Sequence, residues 1–190
     1  SDGGGQGTLA ADALIEQGAT LAELSPGTRA ELRRLLGPAA ATGNPVDLAG
    51  AADADPRVFG QAFEILAADP TTGSVLVVGL FGGYGVRFSE TLLDHECEAA
   101  RHIARVGRET GTGVVVHSMY AAHRTEPLTL LGQAGVPVVG SLDVACRCVL
   151  ELQRRGLFLT EAAPWRPAPP HVSGGSESRP APITAAREAG

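Results

Sequence analysis

The sequence predicts an α/β domain built on a parallel sheet, with helices over both faces. Three observations carry that prediction. Apolar runs of strand length (Ser74 to Leu80, Val114-Val115-Val116 and Val136-Pro137-Val138-Val139) alternate with stretches of helical periodicity. Strands that are apolar throughout are buried on both sides, as in a parallel sheet between two helix layers. Two glycine-rich turns, Asp2-Gly3-Gly4-Gly5-Gln6-Gly7 and Phe81-Gly82-Gly83-Tyr84-Gly85, lead into helix-like stretches, as strand-to-helix connections do. The 190 residues suit one domain of roughly 150 residues and a tail, enough to bury a real core.

The elements follow in order. Thr8 to Gln17 reads as a helix with Leu9, Ala13 and Leu14 inward and Gly18 as its stop. Ala19 to Leu24 is short and extended. Ser25-Pro26 places a capping hydroxyl before a proline at the first helical position, opening a helix to Leu36. Gly37 to Asp47 is a loop whose distinctive piece is Gly43-Asn44-Pro45-Val46-Asp47. Val58, Phe59, Ala62, Phe63 and Leu66 recur at helical spacing between Asp55 and Ala68. After the second glycine turn a single long helix is expected from Arg87 to Glu109. Helices from Thr125 to Ala134 and Leu142 to Arg155 complete the alternation. In such folds the functional groups gather at the carboxyl ends of the strands.

A helix behind the first glycine turn implies a strand upstream of Ser1, so the expected picture is one domain of a multidomain polypeptide. The other end agrees. Domain 1–157 gives way to a linker over 158–182, with prolines at 164, 167, 169, 170, 180 and 182. Residues 183–190 resume a helix-forming composition, as the start of a following domain.

Charge and cysteine content exclude several classes. A formal net charge of −6, with the basic residues scattered, leaves no stripe for nucleic acid. No apolar run is long enough to span a bilayer and no signal peptide is present, so a cytoplasmic protein without membrane contact is expected. Cys97, Cys146 and Cys148 lack metal-ligand spacing and read as reduced, packed thiols. His95 and His102 lie seven apart on one predicted helix face without a third ligand, so no metal site is expected. His117 ends a predicted strand where functional groups cluster, yet a structural histidine is the commoner case. His123 reads as a solvated loop residue, and His171 falls in the linker. Asp12 and Asp47 read as caps on loop amides.

Glycines at a strand-to-helix turn let backbone N–H groups approach an anion, while the same glycines also serve sharp turns without any ligand. The motifs together are more specific. Residues 2–14 resemble the "GGxGVLAADAL" opening of a domain of the NDP-forming acyl-CoA synthetases, such as the ADP-forming acetate–CoA ligases. Gly43-Asn44-Pro45-Val46-Asp47-Leu48 is similar to their "NPVDL". Ile65 through Gly83 resembles the "ILxDxxVxAVLVxIFGG" of the related succinyl-CoA synthetase β-subunit, and Gly135-Val136-Pro137-Val138 resembles "AGIPV". Order and spacing agree over residues 2–155.

The resemblance implies a flavodoxin-like three-layer ligase domain beside an ATP-grasp domain. It implies interconversion of acyl-CoA, ADP and phosphate with the acid, CoA and ATP through a phosphohistidine carried by another domain. ATP or ADP, CoA and Mg2+ would serve the whole enzyme, with none bound by this domain alone. Partners would be the CoA-binding and ATP-grasp domains of the same polypeptide and a small acyl-CoA, with a homo-oligomer left open. No catalytic residue is expected in this chain. Substrate or phosphate contacts carried over are Asp2, Gly3, Gly4, Gly5, Asn44, Gly82, Gly83, Tyr84 and Gly85.

Three departures qualify the match. Asp2 is acidic where the succinyl enzymes carry a neutral amide, which argues against a succinate substrate. Tyr84 and Gly85 replace aliphatic residues. His117 to Arg124 replaces an acid-glycine-asparagine segment. That last change leaves an alternative function: a non-catalytic acyl-CoA or nucleotide sensor fused to a protein acetyltransferase.

Overall fold

A computed structural model describes residues 1–161, with side chains to residue 158. The chain order is α1 (Gly4–Glu16), α2 (Pro26–Leu36), α3 (Ala51–Ala54), α4 (Val58–Ala67), β1 (Ser74–Gly79), α5 (Tyr84–Arg87), α6 (Leu93–Thr110), β2 (Gly113–Ser118), α7 (Glu126–Gln133), β3 (Val138–Val139) and α8 (Leu142–Glu161). The three strands form one parallel sheet in the order β1-β2-β3. Val75 lies opposite Val114, Val77 opposite Val116, and Val116 opposite Val138.

Successive strand residues point to opposite faces, so each all-apolar strand feeds two cores. Val75, Val77, Val114, Val116 and Val138 join Leu32 of α2, Phe59 and Phe63 of α4, Ile103 and Val106 of α6 and Leu131 of α7. Leu76, Val115 and Val139 meet Leu14 of α1 and Ala145, Cys146 and Val149 of α8 on the other side. This is a three-layer α/β/α arrangement, consistent with a flavodoxin-like domain. Full burial of Phe63, Ile103 or Leu131 contributes on the order of 1.5–3 kcal/mol each.

The helix at Pro26 starts where Ser25 predicts. The Ser25 hydroxyl accepts the Thr28 N–H at 3.2 Å. A buried carboxylate reinforces this corner. Asp69 Oδ2 accepts from the Ser25 N–H (2.9 Å) and the Thr28 hydroxyl (2.6 Å), and Oδ1 from the N–H (2.9 Å) and hydroxyl (2.6 Å) of Thr71. The hydroxyls of Thr28 and Thr71, then the two backbone donors, hold the Asp69 carboxyl well below the usual carboxylate range. Its folded-state value lies below the unfolded one. The stability it contributes is therefore complete above the unfolded value of about 3.9 and is lost progressively as pH falls from there through the lower folded-state value. Asp69→Asn is expected to lower the thermal midpoint at pH 7 and to flatten its fall between pH 4 and pH 2. Parallel curves for the two proteins across that range would remove Asp69 as a source of acid sensitivity.

Several boundaries differ from the sequence expectation. Helix α1 begins at Gly4 rather than Thr8, so three glycines belong to its first turns; Gly3 is the N-cap, in extended conformation. The single helix expected from Arg87 to Glu109 is two helices. Phe88 folds back so that its ring lies 5.5 Å from that of Tyr84, and Ser89 caps a 3-10 turn over Glu90–Leu92 before α6 begins. The period of apolar residues continues across this break, so periodicity alone joins the two. Strand β3 keeps only two residues of the expected run from Val136. Helix α8 runs on to Glu161, past the expected linker boundary at 158. The remaining linker, 162–182, and the segment 183–190 lie outside the described residues.

Candidate functional site

The carboxyl end of β1 and the amino end of α1 meet in one open cleft of about 420 Å3. Asp2 through Gln6 line one side, and Leu80, Arg87 and Met119 the other. Gly79 makes the junction. Its φ of +127° lies in the left-handed half of the map, and a Cβ there would fall inside the Asp2 carboxylate. Asp2 accepts a hydrogen bond from the Leu80 backbone; burial nevertheless pushes its carboxyl above the usual value.

Gly3 has no side chain to cap α1, and its first turn holds no acidic residue. The first intrahelical bond runs from Gly7 N–H to Gly3 C=O. The N–H groups of Gly4, Gly5 and Gln6 precede it, with no backbone partner among the described residues. A 13-residue helix brings roughly half a positive charge to this end. Arg87 adds a full positive charge across the cleft, its guanidinium 5.5 Å above the Phe88 ring. Asp47 stands at the rim: its Oδ2 lies 3.0 Å from where a Cβ on Gly4 would project, while its Oδ1 accepts the Ala49 N–H at 2.9 Å. Asp47 thus caps a loop amide.

The second glycine turn faces inward. Glu96 of α6 is fully buried, and its Oε1 accepts the N–H groups of Gly82 (2.6 Å) and Tyr84 (3.1 Å) while Oε2 accepts that of Gly85 (2.9 Å). The Gly83 N–H goes to Leu80 C=O at 2.8 Å. Burial raises the Glu96 carboxyl although these backbone donors oppose it. The resemblance offers this turn's N–H groups to a phosphate; in the structure those of Gly82, Tyr84 and Gly85 are bound to Glu96 and that of Gly83 to Leu80 C=O. Tyr84 is also fully buried, packed edge-on 6.0 Å from Phe59. Burial, with Asp2, Asp53 and Glu96 nearby, pushes its phenol far above the ordinary value.

Asn44 stands apart from the cleft, its Nδ2 donating to Ala22 C=O at 3.1 Å. His117 is buried on β2 opposite Val78, and desolvation lowers its pKa more than the Asp2 charge and a bond with the Gly140 backbone raise it. It is neutral at pH 7, with Nδ1 unpartnered among the described residues. His102 pairs with Glu64 at 3.0 Å and His95 faces Asp55 at 3.4 Å. The buried thiol of Cys97 is pushed up to about 11 by desolvation. Among the described residues no three His, Cys, Asp or Glu side chains gather to hold a metal ion. No described helix is long and apolar enough to cross a membrane.

The structure thus brings Asp2, Gly3, Gly4 and Gly5 to one cleft and ties Gly82, Tyr84 and Gly85, outside its lining, to Glu96. Sequence reasoning missed Arg87 and Glu96, because both fell inside what reads as one amphipathic helix.

The model of the Ligase-CoA domain matches residues 1–100. The chain belongs to the Ligase-CoA domain family. Among solved structures it is similar to PH0766 of Pyrococcus horikoshii OT3, at 26% identity and a TM-score of 0.64, over 80% of this chain and 34% of that one. It is also similar to the apo form of the dinucleotide-forming acetyl-coenzyme A synthetase 1 of Ca. Korarchaeum cryptofilum. There the identity is 16% and the TM-score 0.61, over 85% of this chain and 34% of that one, a likeness of fold. This chain therefore spans about a third of the length of either. No curated protein matches it.

Proposed function

We propose that this Ligase-CoA domain is the module of an NDP-forming acyl-CoA synthetase that receives the travelling phosphoryl or acyl group. The whole polypeptide would convert acyl-CoA, ADP and phosphate into the acid, CoA and ATP. The supporting observation is the amino end of α1, with three uncommitted N–H groups opening onto a cleft that Arg87 faces. Both features favour an anion, and both are fixed before any ligand arrives.

In this reading Gly3, Gly4 and Gly5 let an anionic oxygen approach the backbone, and Arg87 balances its charge. Asp2, with its carboxyl raised by burial, meets the same group as a hydrogen-bonding neighbour at the strand end. Gly82, Gly83, Tyr84 and Gly85 act on the site through the fold, by setting the path of the chain from Leu80 to Arg87. The phosphohistidine, nucleotide, CoA and Mg2+ belong to other domains of the polypeptide.

The complete polypeptide, supplied with short-chain acyl-CoA, ADP and phosphate, is expected to form ATP, while the 190-residue chain alone forms none. Arg87→Ala should lower that turnover by roughly 100–1,000-fold, the scale of one lost electrostatic contact to developing charge. Its thermal midpoint should stay near that of the parent, because Arg87 sits at the cleft surface. Failure to make ATP with any short acyl group would overturn the ligase reading and favour the sensor. Unchanged turnover in Arg87→Ala would move the anion away from this cleft.

A further inference from the structure

Tyr84 opens α5 next to the cleft, and its hydroxyl has no hydrogen-bond partner among the described residues. We propose that Tyr84 is a positioning residue for Asp2: its buried hydroxyl donates to the Asp2 carboxylate and draws that charge away from an anion in the cleft. The anion in the cleft rests on the ligase reading above; the pairing of the two side chains does not.

Burial supplies the first argument. The Tyr84 ring packs between those of Phe59 and Phe88 and is fully buried. A buried hydroxyl left unpaired carries a desolvation cost that phenylalanine, with the same ring, would avoid. Its oxygen therefore calls for a partner. Three carboxyl groups stand near it: Asp2, Asp53 and Glu96. Glu96 is committed to the N–H groups of Gly82, Tyr84 and Gly85. Asp53 of α3 is exposed to water. Asp2 is partly buried, and the phenol approaches it closely, short of a formed bond. The Leu80 backbone takes up only part of its accepting capacity, since an ionised carboxylate has about four acceptor sites.

Charge supplies the second. Burial holds the phenol in its protonated form at any working pH, so towards a carboxylate it acts as a donor. Asp2 lines the cleft with Gly3, Gly4 and Gly5, where an ionised carboxylate opposes an arriving anion. Tyr84 lies outside that lining, so a bond to it pulls the charge inward and leaves the N–H groups of α1 and Arg87 to the anion. The two residues are also two of the departures from the succinyl enzymes. An asparagine at position 2 would bring its own N–H donors; an ionised aspartate has none, and the phenol that replaces an aliphatic residue at position 84 supplies one. The other titratable or charged groups that face Asp2 are Asp53, the neutral His117 of β2, the Ser1 amino group and, across the cleft, Arg87; Glu96 neighbours the phenol.

The test is Tyr84→Phe, which removes one oxygen and keeps the ring. In the 190-residue chain, carbon-13 titration of the carboxyl groups should show the Asp2 midpoint rising by at least about 0.5 pH unit, because the ionised form has lost a donor. The thermal midpoint should move by less than about 3 °C. In the complete polypeptide the KM for phosphate should rise roughly tenfold while kcat changes less than about threefold, the pattern of an interaction made before the chemical step. Asp2→Asn should abolish that response to Tyr84→Phe, because the amide brings its own donor. An unchanged Asp2 titration in Tyr84→Phe would overturn the proposal. So would an equal rise in KM with and without Asp2→Asn, which would leave Tyr84 a packing role only. A shifted titration in a polypeptide that forms no ATP from any short acyl-CoA would sink the ligase reading and leave the pairing of Tyr84 with Asp2 in place.

Discussion

Glu96→Ala is expected to destabilise the protein by roughly 3 kcal/mol or more. Three backbone donors, two buried and one partly buried, lose a charged acceptor at once, and hydrogen bonds to charged groups contribute about 1.5–3 kcal/mol each. Gly82, Tyr84 and Gly85 cannot turn to another acceptor, because their N–H groups converge on one carboxylate within 3.1 Å. Alanine also leaves a cavity beneath a turn that carries the fully buried Tyr84. Glu96→Gln should be milder: an amide oxygen in the place of Oε1 keeps Gly82 and Tyr84, while the NH2 group opposes the Gly85 N–H. Urea denaturation of the three proteins gives the order wild type, Gln, Ala. An alanine variant within about 0.5 kcal/mol of wild type, the scale of an ordinary surface change, would show that Glu96 does not hold the turn.

The same carboxylate shows where sequence reasoning ends. β1 and β2 were legible because unbroken apolar runs have few other homes than a covered parallel sheet. α2 was legible because Ser25 and Pro26 act locally, on bonds within one turn. Glu96 was not. A glutamate in an amphipathic helix reads as a solvated face, and nothing within a few residues distinguishes this one from Glu98. Its partners lie 11 to 14 residues earlier and come near only because the chain turns back at Phe88 and Ser89. Arg87 was hidden by the same break, which takes it out of a continuous helix and sets it on the cleft. The first glycine turn was recognisable as a motif, yet its role differs from that of a loop. Its glycines are helical from Gly4, so what they offer is a bare helix end rather than a flexible cradle. The second turn shares the composition but not the exposure, and composition cannot separate the two.

That difference decides what substitutions in the second turn will do. A phosphate contact at Gly83, as the resemblance implies, would have Gly83→Val nearly spare the fold and cripple phosphoryl transfer. The structure reverses the first half. A Cβ on Gly83 would run into the Tyr120 ring, so the side chain of a valine has to displace an aromatic group whose own N–H is bound to Ser118. Gly82 is more demanding still. Its φ of +89° costs an ordinary residue about 1–2 kcal/mol, and a Cβ there would overlap the Leu128 side chain, buried against the same core. Overpacking of this kind adds typically 1–3 kcal/mol. Gly82→Ala is therefore expected to lower stability by roughly 2–5 kcal/mol, the sum of those two ranges. A Leu128→Ala background should recover part of the loss, because it removes the overlap and leaves only the backbone strain. Gly82→Ala within 1 kcal/mol of wild type, or no recovery in the double variant beyond the additive value, would show that the turn is less tightly packed than described. In the complete polypeptide, ATP formation by Gly82→Ala and Gly83→Val should fall with the folded fraction. Normal stability combined with lost turnover in either would return the second turn to direct contact with the phosphoryl group.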